Sequence, residues 1–95
     1  MLDKVKQLME MKKQAEELKR QLDAATVEVN DVPGIKIVIT GSQNFRSLEI
    51  TDELLNNRNR LQSDLLRSLN TAIKRSQDLG AQKMRAMTGL NIPGF

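Results

Sequence analysis

The chain has 95 residues, 28% of them charged and 39% hydrophobic, with a formal net charge of +3 and neither cysteine nor histidine. Those two absences exclude disulfides, Cys/His zinc sites, thiol chemistry and His-based catalysis. A chain this short forms one domain around a small core, with no room for a deep active site.

The charge is unevenly spread. Residues 1–25 carry six Lys/Arg against five Asp/Glu, residues 26–53 two against five, and residues 54–95 seven against two. The middle is acidic and the last third basic, which predicts a localised positive surface. The sequence is charged from Asp3 onward. That predicts neither a signal-peptide segment nor a membrane span, and a cytoplasmic location is expected.

A long amphipathic helix is predicted over residues 1–25. Leu8, Met11, Ala15, Leu18, Leu22 and Ala25 alternate three- and four-residue gaps, the rhythm of a coiled-coil seam. Leu2, Val5 and Met9 form a second short stripe, and Glu16 precedes Arg20 by the four residues that favour a helical ion pair.

The period then changes. TVEVN, GIKIVIT and FRSLEIT alternate with period two and are rich in β-branched residues, predicting a three-stranded antiparallel meander over residues 26–51. Pro33 and Gly34 suit the central positions of a type II turn, because proline fixes φ and glycine accepts φ > 0. GSQN predicts a looser second turn.

Helices are predicted over residues 52–88. Thr51 and Asp52 suit a helix start, with Asp52 and Glu53 placing negative charge in the first turn. Asn56, Asn57 and Asn59 predict a break after this short helix. From Leu61 a second long helix keeps Leu61, Leu65, Leu69, Ala72, Ile73, Ser76, Met84 and Met87 on roughly one face. Gly80 weakens that helix and Gly89 is a natural C-terminal stop. Residues 89–95 form an apolar tail of Leu90, Ile92 and Phe95, expected to fold back onto a helix or a partner chain.

Arg60, Arg67, Lys74 and Arg85 are separated by 7, 7 and 11 residues, close to whole helical turns. They form a stripe opposite the leucine face, with Arg75 at its edge, along which duplex phosphates can lie. The bland reading of the same stripe is a solvated outer face diluted by Asp64 and Asp78. Phe45 and Phe95 are the only aromatics, so no platform stacks single-stranded bases. With no phosphate-binding Gly-rich loop and no carboxylate pair at a telling spacing, no enzyme, cofactor, metal site or small-molecule substrate is expected. A sheet flanked by long helices leaves edges and a seam that a small monomer leaves uncovered, which points to a homodimer.

In this order, the first helix, GIKIVITGSQNFRSLEIT, DELL, LLRSLNTAIKRS and the MTGLNIPGF tail resemble the YbaB/EbfC family of bacterial nucleoid-associated proteins over nearly the whole chain. Departures are SDLL and SLNTA in place of the family's acidic EDL and AA-NDA stretches, and a single Gly89 where some relatives carry two glycines. The resemblance implies an α+β chain (α-β-β-β-α) that dimerises through its sheets and projects long helices like tweezers. It also implies binding of duplex DNA with little sequence preference, association with the nucleoid and a possible role in gene regulation. On that basis the DNA-binding candidates are Lys4, Lys6, Lys12 and Lys13 on the first helix and Lys74, Arg75, Lys83 and Arg85 on the last. If the two helices run antiparallel, these groups gather at one end. The alternative is a coiled-coil or prefoldin-like interaction protein, with Met84, Met87 and the tail holding apolar partners; core filling is the plainer role for those methionines.

Overall fold

The structure, a computed structural model, describes residues 2–88. It comprises α1 (Leu2–Ala24), β1 (Thr26–Val29), β2 (Ile35–Thr40), β3 (Phe45–Ile50), α2 (Asp52–Leu55) and α3 (Arg58–Thr88). The strands form one antiparallel sheet in the order β1-β2-β3. This is the expected α-β-β-β-α arrangement. Gly89 and the apolar tail lie outside the described residues.

The turns follow from their residues. Ile35 N–H donates to Val32 O at 3.2 Å around Pro33 and Gly34. Gly34 has φ 93°, so the type II turn forms as expected. In the second turn Gln43 N–H donates to Thr40 O at 3.1 Å, and Gln43 itself takes φ 66°, a left-handed conformation that usually goes to Gly or Asn.

Just beyond that turn the β2–β3 pairing slips: Val38 faces Ser47, but Ile39 faces Phe45. The extra residue, Arg46, is a β-bulge, and it reverses the side-chain phase of β3. Phe45 and Leu48 therefore share the face of Ile39 and Ile37, although an odd and an even position would otherwise point apart.

Burial decides which residues hold the sheet to its cover. The core comprises Val29, Val32, Ile35, Ile37, Ile39, Leu54 and Ala72, with Val27, Ile50, Leu61, Leu65, Leu69 and Ile73 packed around it. Ile37 and Ile39 are both 0% exposed, and each contributes roughly 1.5–3 kcal/mol by leaving water. α3 packs on β1 and β2. It approaches closely because Ala72 and Ser76 are small, and Ser76 Oγ donates to Thr40 O at 2.6 Å. A Cβ at Gly80 would sit 3.1 Å from Gly41 O, so this glycine marks a tight crossing where the sequence showed only a weak point in a helix. β3 is left without a roof: Phe45 is 48% exposed and Leu48 50%.

The helix starts are capped by their own side chains. Thr51 Oγ1 accepts from Leu54 N at 3.4 Å. Asn57 Oδ1 accepts from Arg60 N at 3.2 Å, so α3 begins three residues earlier than the leucine pattern alone predicts. Asparagine disfavours a helix interior but makes a good N-cap.

α1 departs from the rest. None of its residues is buried, and the half-buried ones are Glu17, Leu18, Gln21, Leu22 and Asp23. Its C-terminal end is tied to the β2–β3 turn: Gly41 N–H is shared by Leu22 O and Ala25 O, each at 3.0 Å. Ser42 Oγ donates to Asp23 Oδ1 at 2.5 Å and Arg46 Nη2 to Asp23 O at 2.8 Å. A Cβ at Gly80 would lie 3.7 Å from Leu22, so α3 leaves the sheet where α1 enters it, and the two helices run antiparallel. From Arg58 to Gly80 is about 33 Å and from Leu22 to Leu2 about 30 Å, which together account for the 65 Å long axis. The seam expected over the whole of α1 is thus covered only at Leu18 and Leu22, and residues 2–14 form a projecting arm. Arg20 pairs with Glu17 and not with Glu16.

Candidate nucleic-acid interface

The arm gathers half of the expected cations. Lys4, Lys6, Lys12 and Lys13 are all exposed there, against Asp3 and Glu10 in the same stretch. Among the described residues none of these four lysines has an ion-pair partner. Lys6 and Lys13 are seven residues apart and occupy one flank, whereas Lys4 and Lys12 lie one turn before and one turn after Leu8, on the seam side. The first arginine of α1 is Arg20. The arm therefore presents compact lysine charges without a guanidinium fork, a set suited to phosphates more than to base edges.

The α3 cations divide. Lys74 is exposed and shares the outer stripe with Arg60, Arg67 and, further along, the half-buried Arg85. Arg75 turns toward the β1–β2 turn, where its Nη1 and Nη2 hold the Asp31 carboxylate at 2.9 and 2.5 Å. The hydrogen bond from Arg75, helped by its charge, keeps the Asp31 carboxyl below its ordinary range and pushes the guanidinium pKa up. Arg75 thereby pairs with Asp31 at the surface, and this pairing spans 44 residues of sequence. Lys83 is half-buried. The gathering expected from antiparallel helices is partial: Lys83 and Arg85 stand beside the base of the arm, whereas Lys74 and Arg75 stay over the sheet. Met84 and Met87 are half-buried on the same stretch.

Two further arginines contribute to this surface. Arg60 Nε and Arg67 Nη2 approach Asp64 at 3.3 and 3.0 Å, and Asp64 is itself buried. Their seven-residue spacing is visible in the sequence. Their shared carboxylate becomes visible only when α3 is seated on the sheet.

The open face of the sheet has the opposite character. Lys36 lies between Glu28 at 2.9 Å and Glu49 at 3.8 Å. The hydrogen bond to Glu28, then the charges of Glu28 and Glu49, raise the Lys36 pKa. One cation there answers two acids, so phosphates are repelled. Among the described residues no group of three His, Cys, Asp or Glu side chains converges as metal ligands, and no helix is long and apolar enough to cross a membrane.

The chain is 35% identical to a nucleoid-associated protein of Pelotomaculum thermopropionicum, over 96% of this chain and 90% of that one. It is 25% identical to a nucleoid-associated protein of Flavobacterium johnsoniae, over 93% and 84%. The crystal structure of an uncharacterized Helicobacter pylori protein superposes with a TM-score of 0.75 at 22% identity, covering 88% of this chain and 89% of that one; that likeness concerns the fold. The model of the YbaB/EbfC DNA-binding family matches residues 1–91, and the chain belongs to that family.

Proposed function

We propose that the protein is a homodimeric nucleoid-associated protein that grips duplex DNA through the phosphates, with little sequence preference, using the α1 arms. The observation that carries this reading is the arm itself, a projecting helix with four exposed lysines and two acids. Lys83 and Arg85 extend the positive surface at its base, and Lys74 with the outer stripe of α3 adds a second, weaker contact region. Arg75 serves the fold through Asp31.

Support for the homodimer comes from the unroofed side of the sheet. Phe45 and Leu48 are exposed large apolar groups, and the half-buried Ile50 lies beyond Leu48 on β3. β3 is also an edge strand with backbone groups open to pairing. A second copy seated there buries apolar surface on both sides and doubles the formal charge from the +3 of one chain.

Light scattering followed by a mobility shift with random-sequence duplex at two salt concentrations tests both parts. The expected outcome is a two-chain mass and binding that weakens steeply as salt rises, because bound phosphates release counterions. A folded protein that leaves the duplex unshifted even at low salt removes the DNA reading, and a one-chain mass removes the dimer.

A further inference from the structure

Asp64 is the only buried charged residue among those described. Its side chain is 10% exposed, while those of Arg60 and Arg67, before and after it on α3, are 57% and 67% exposed. A carboxylate taken out of water needs donors to replace its hydration. Arg60 Nε donates to Asp64 Oδ2 at 3.3 Å and Arg67 Nη2 to Asp64 Oδ1 at 3.0 Å. Each carboxylate oxygen thus takes one guanidinium.

The arrangement shapes the outer stripe of α3. Arg60 and Arg67 leave the helix about 10 Å apart along its axis and about 20° apart around it. Both heads lean toward the carboxylate between them, so two guanidiniums stand side by side at the surface. The bond from Arg60 uses only Nε, and that from Arg67 only Nη2. The Nη groups of Arg60 and the Nε and Nη1 groups of Arg67 have no acceptor among the described residues. Such forks match the oxygens of a phosphate.

We propose that Arg60 and Arg67 form a phosphate-binding site for the duplex backbone, with Asp64 as the residue that positions both. This rests on the DNA reading above and deepens it, since it names the site on α3. Asp64 lowers the charge of the stripe by one and still aids binding. Two long, rotamer-rich side chains are ordered when the protein folds, so less freedom is lost when DNA arrives.

The sign of one substitution separates positioning from simple charge. Asp64→Asn makes the protein more positive, so charge alone would tighten its hold on a duplex. The expected result is instead a loss of about threefold or more in affinity, read by fluorescence anisotropy with a labelled random duplex. In an Arg60→Gln, Arg67→Gln background the same change is expected to cause no loss, because the groups through which Asp64 acts are gone. That arginine variant alone is expected to flatten the fall of log Kobs with log salt by about 0.9 for each phosphate it no longer holds. Urea unfolding checks each variant, and the exposed arginine pair keeps the site testable should Asp64→Asn fail to fold. Tighter or unchanged binding by folded Asp64→Asn overturns the positioning role, as does a loss that persists without the arginines. An unchanged salt slope in the arginine variant overturns the site while native protein still binds. Native protein that leaves the duplex unbound at low salt removes the underlying DNA reading and this site with it.

Discussion

If the arm holds DNA, its lysines set the salt dependence of binding, and the structure says which ones and by how much. Replacing Lys6, Lys12 and Lys13 with Gln removes three exposed charges that have no ion-pair partner among the described residues. Gln matches Lys in helix propensity, so the arm stays helical, and surface changes of this kind alter stability by no more than about 0.5 kcal/mol. Each neutralised phosphate steepens the fall of log Kobs with log salt by about 0.9, so removing all three lysines of one engaged arm makes the slope shallower by about 2.7. Between 50 and 200 mM salt the native protein should then lose about 40-fold more affinity than the variant for each arm engaged. Fluorescence anisotropy with a labelled random duplex across that salt range measures both slopes. Lys36→Gln is the control, since Lys36 sits between Glu28 and Glu49 on the acidic face and should leave the slope unchanged. A folded triple variant whose slope equals that of the native protein refutes the assignment of phosphate binding to the arm.

Three predictions concern the fold. Ile37→Ala empties a position that is 0% exposed and should cost about 2–5 kcal/mol, read as a lower denaturation midpoint in urea. Gly34→Ala should cost about 1–3 kcal/mol, because φ is 93° and the new Cβ would meet Thr51 Oγ1 at 2.9 Å; thermal unfolding reads the loss directly. Asp31 has a folded-state pKa below its unfolded one, so the stability it lends through Arg75 is present above the unfolded carboxylate pKa. It is lost as pH falls through the folded value. Asp31→Asn should therefore flatten the acid side of a stability–pH curve, and an unchanged acid limb would show that the pair contributes nothing measurable.

What could be read from the sequence is what depends on near neighbours in the chain. Period-two runs of Val and Ile specify β1 and β2, Pro33 and Gly34 specify their turn, and Thr51 specifies the start of α2, because each rests on backbone geometry within a few residues. The basic character of residues 54–95 is likewise a matter of composition. Even the early start of α3 was present locally, in Asn57, whose low helix propensity masked its value as a cap.

Tertiary structure alone decided which surfaces meet. A one-residue bulge opposite Val38 and Ile39 reverses the phase of β3 and puts Phe45 beside Leu48, which alternation read from the sequence does not anticipate. Arg75 looks like any outer cation until the β1–β2 turn brings Asp31 to it across 44 residues. The α1 seam is regular from Leu8 to Leu22, yet cover extends only as far as α3 runs beside it. A hydrophobic pattern states that a face avoids water, whereas the path of distant chain determines what, if anything, covers it. That division leaves the arm projecting, with Lys6, Lys12 and Lys13 exposed at the end remote from the acidic sheet.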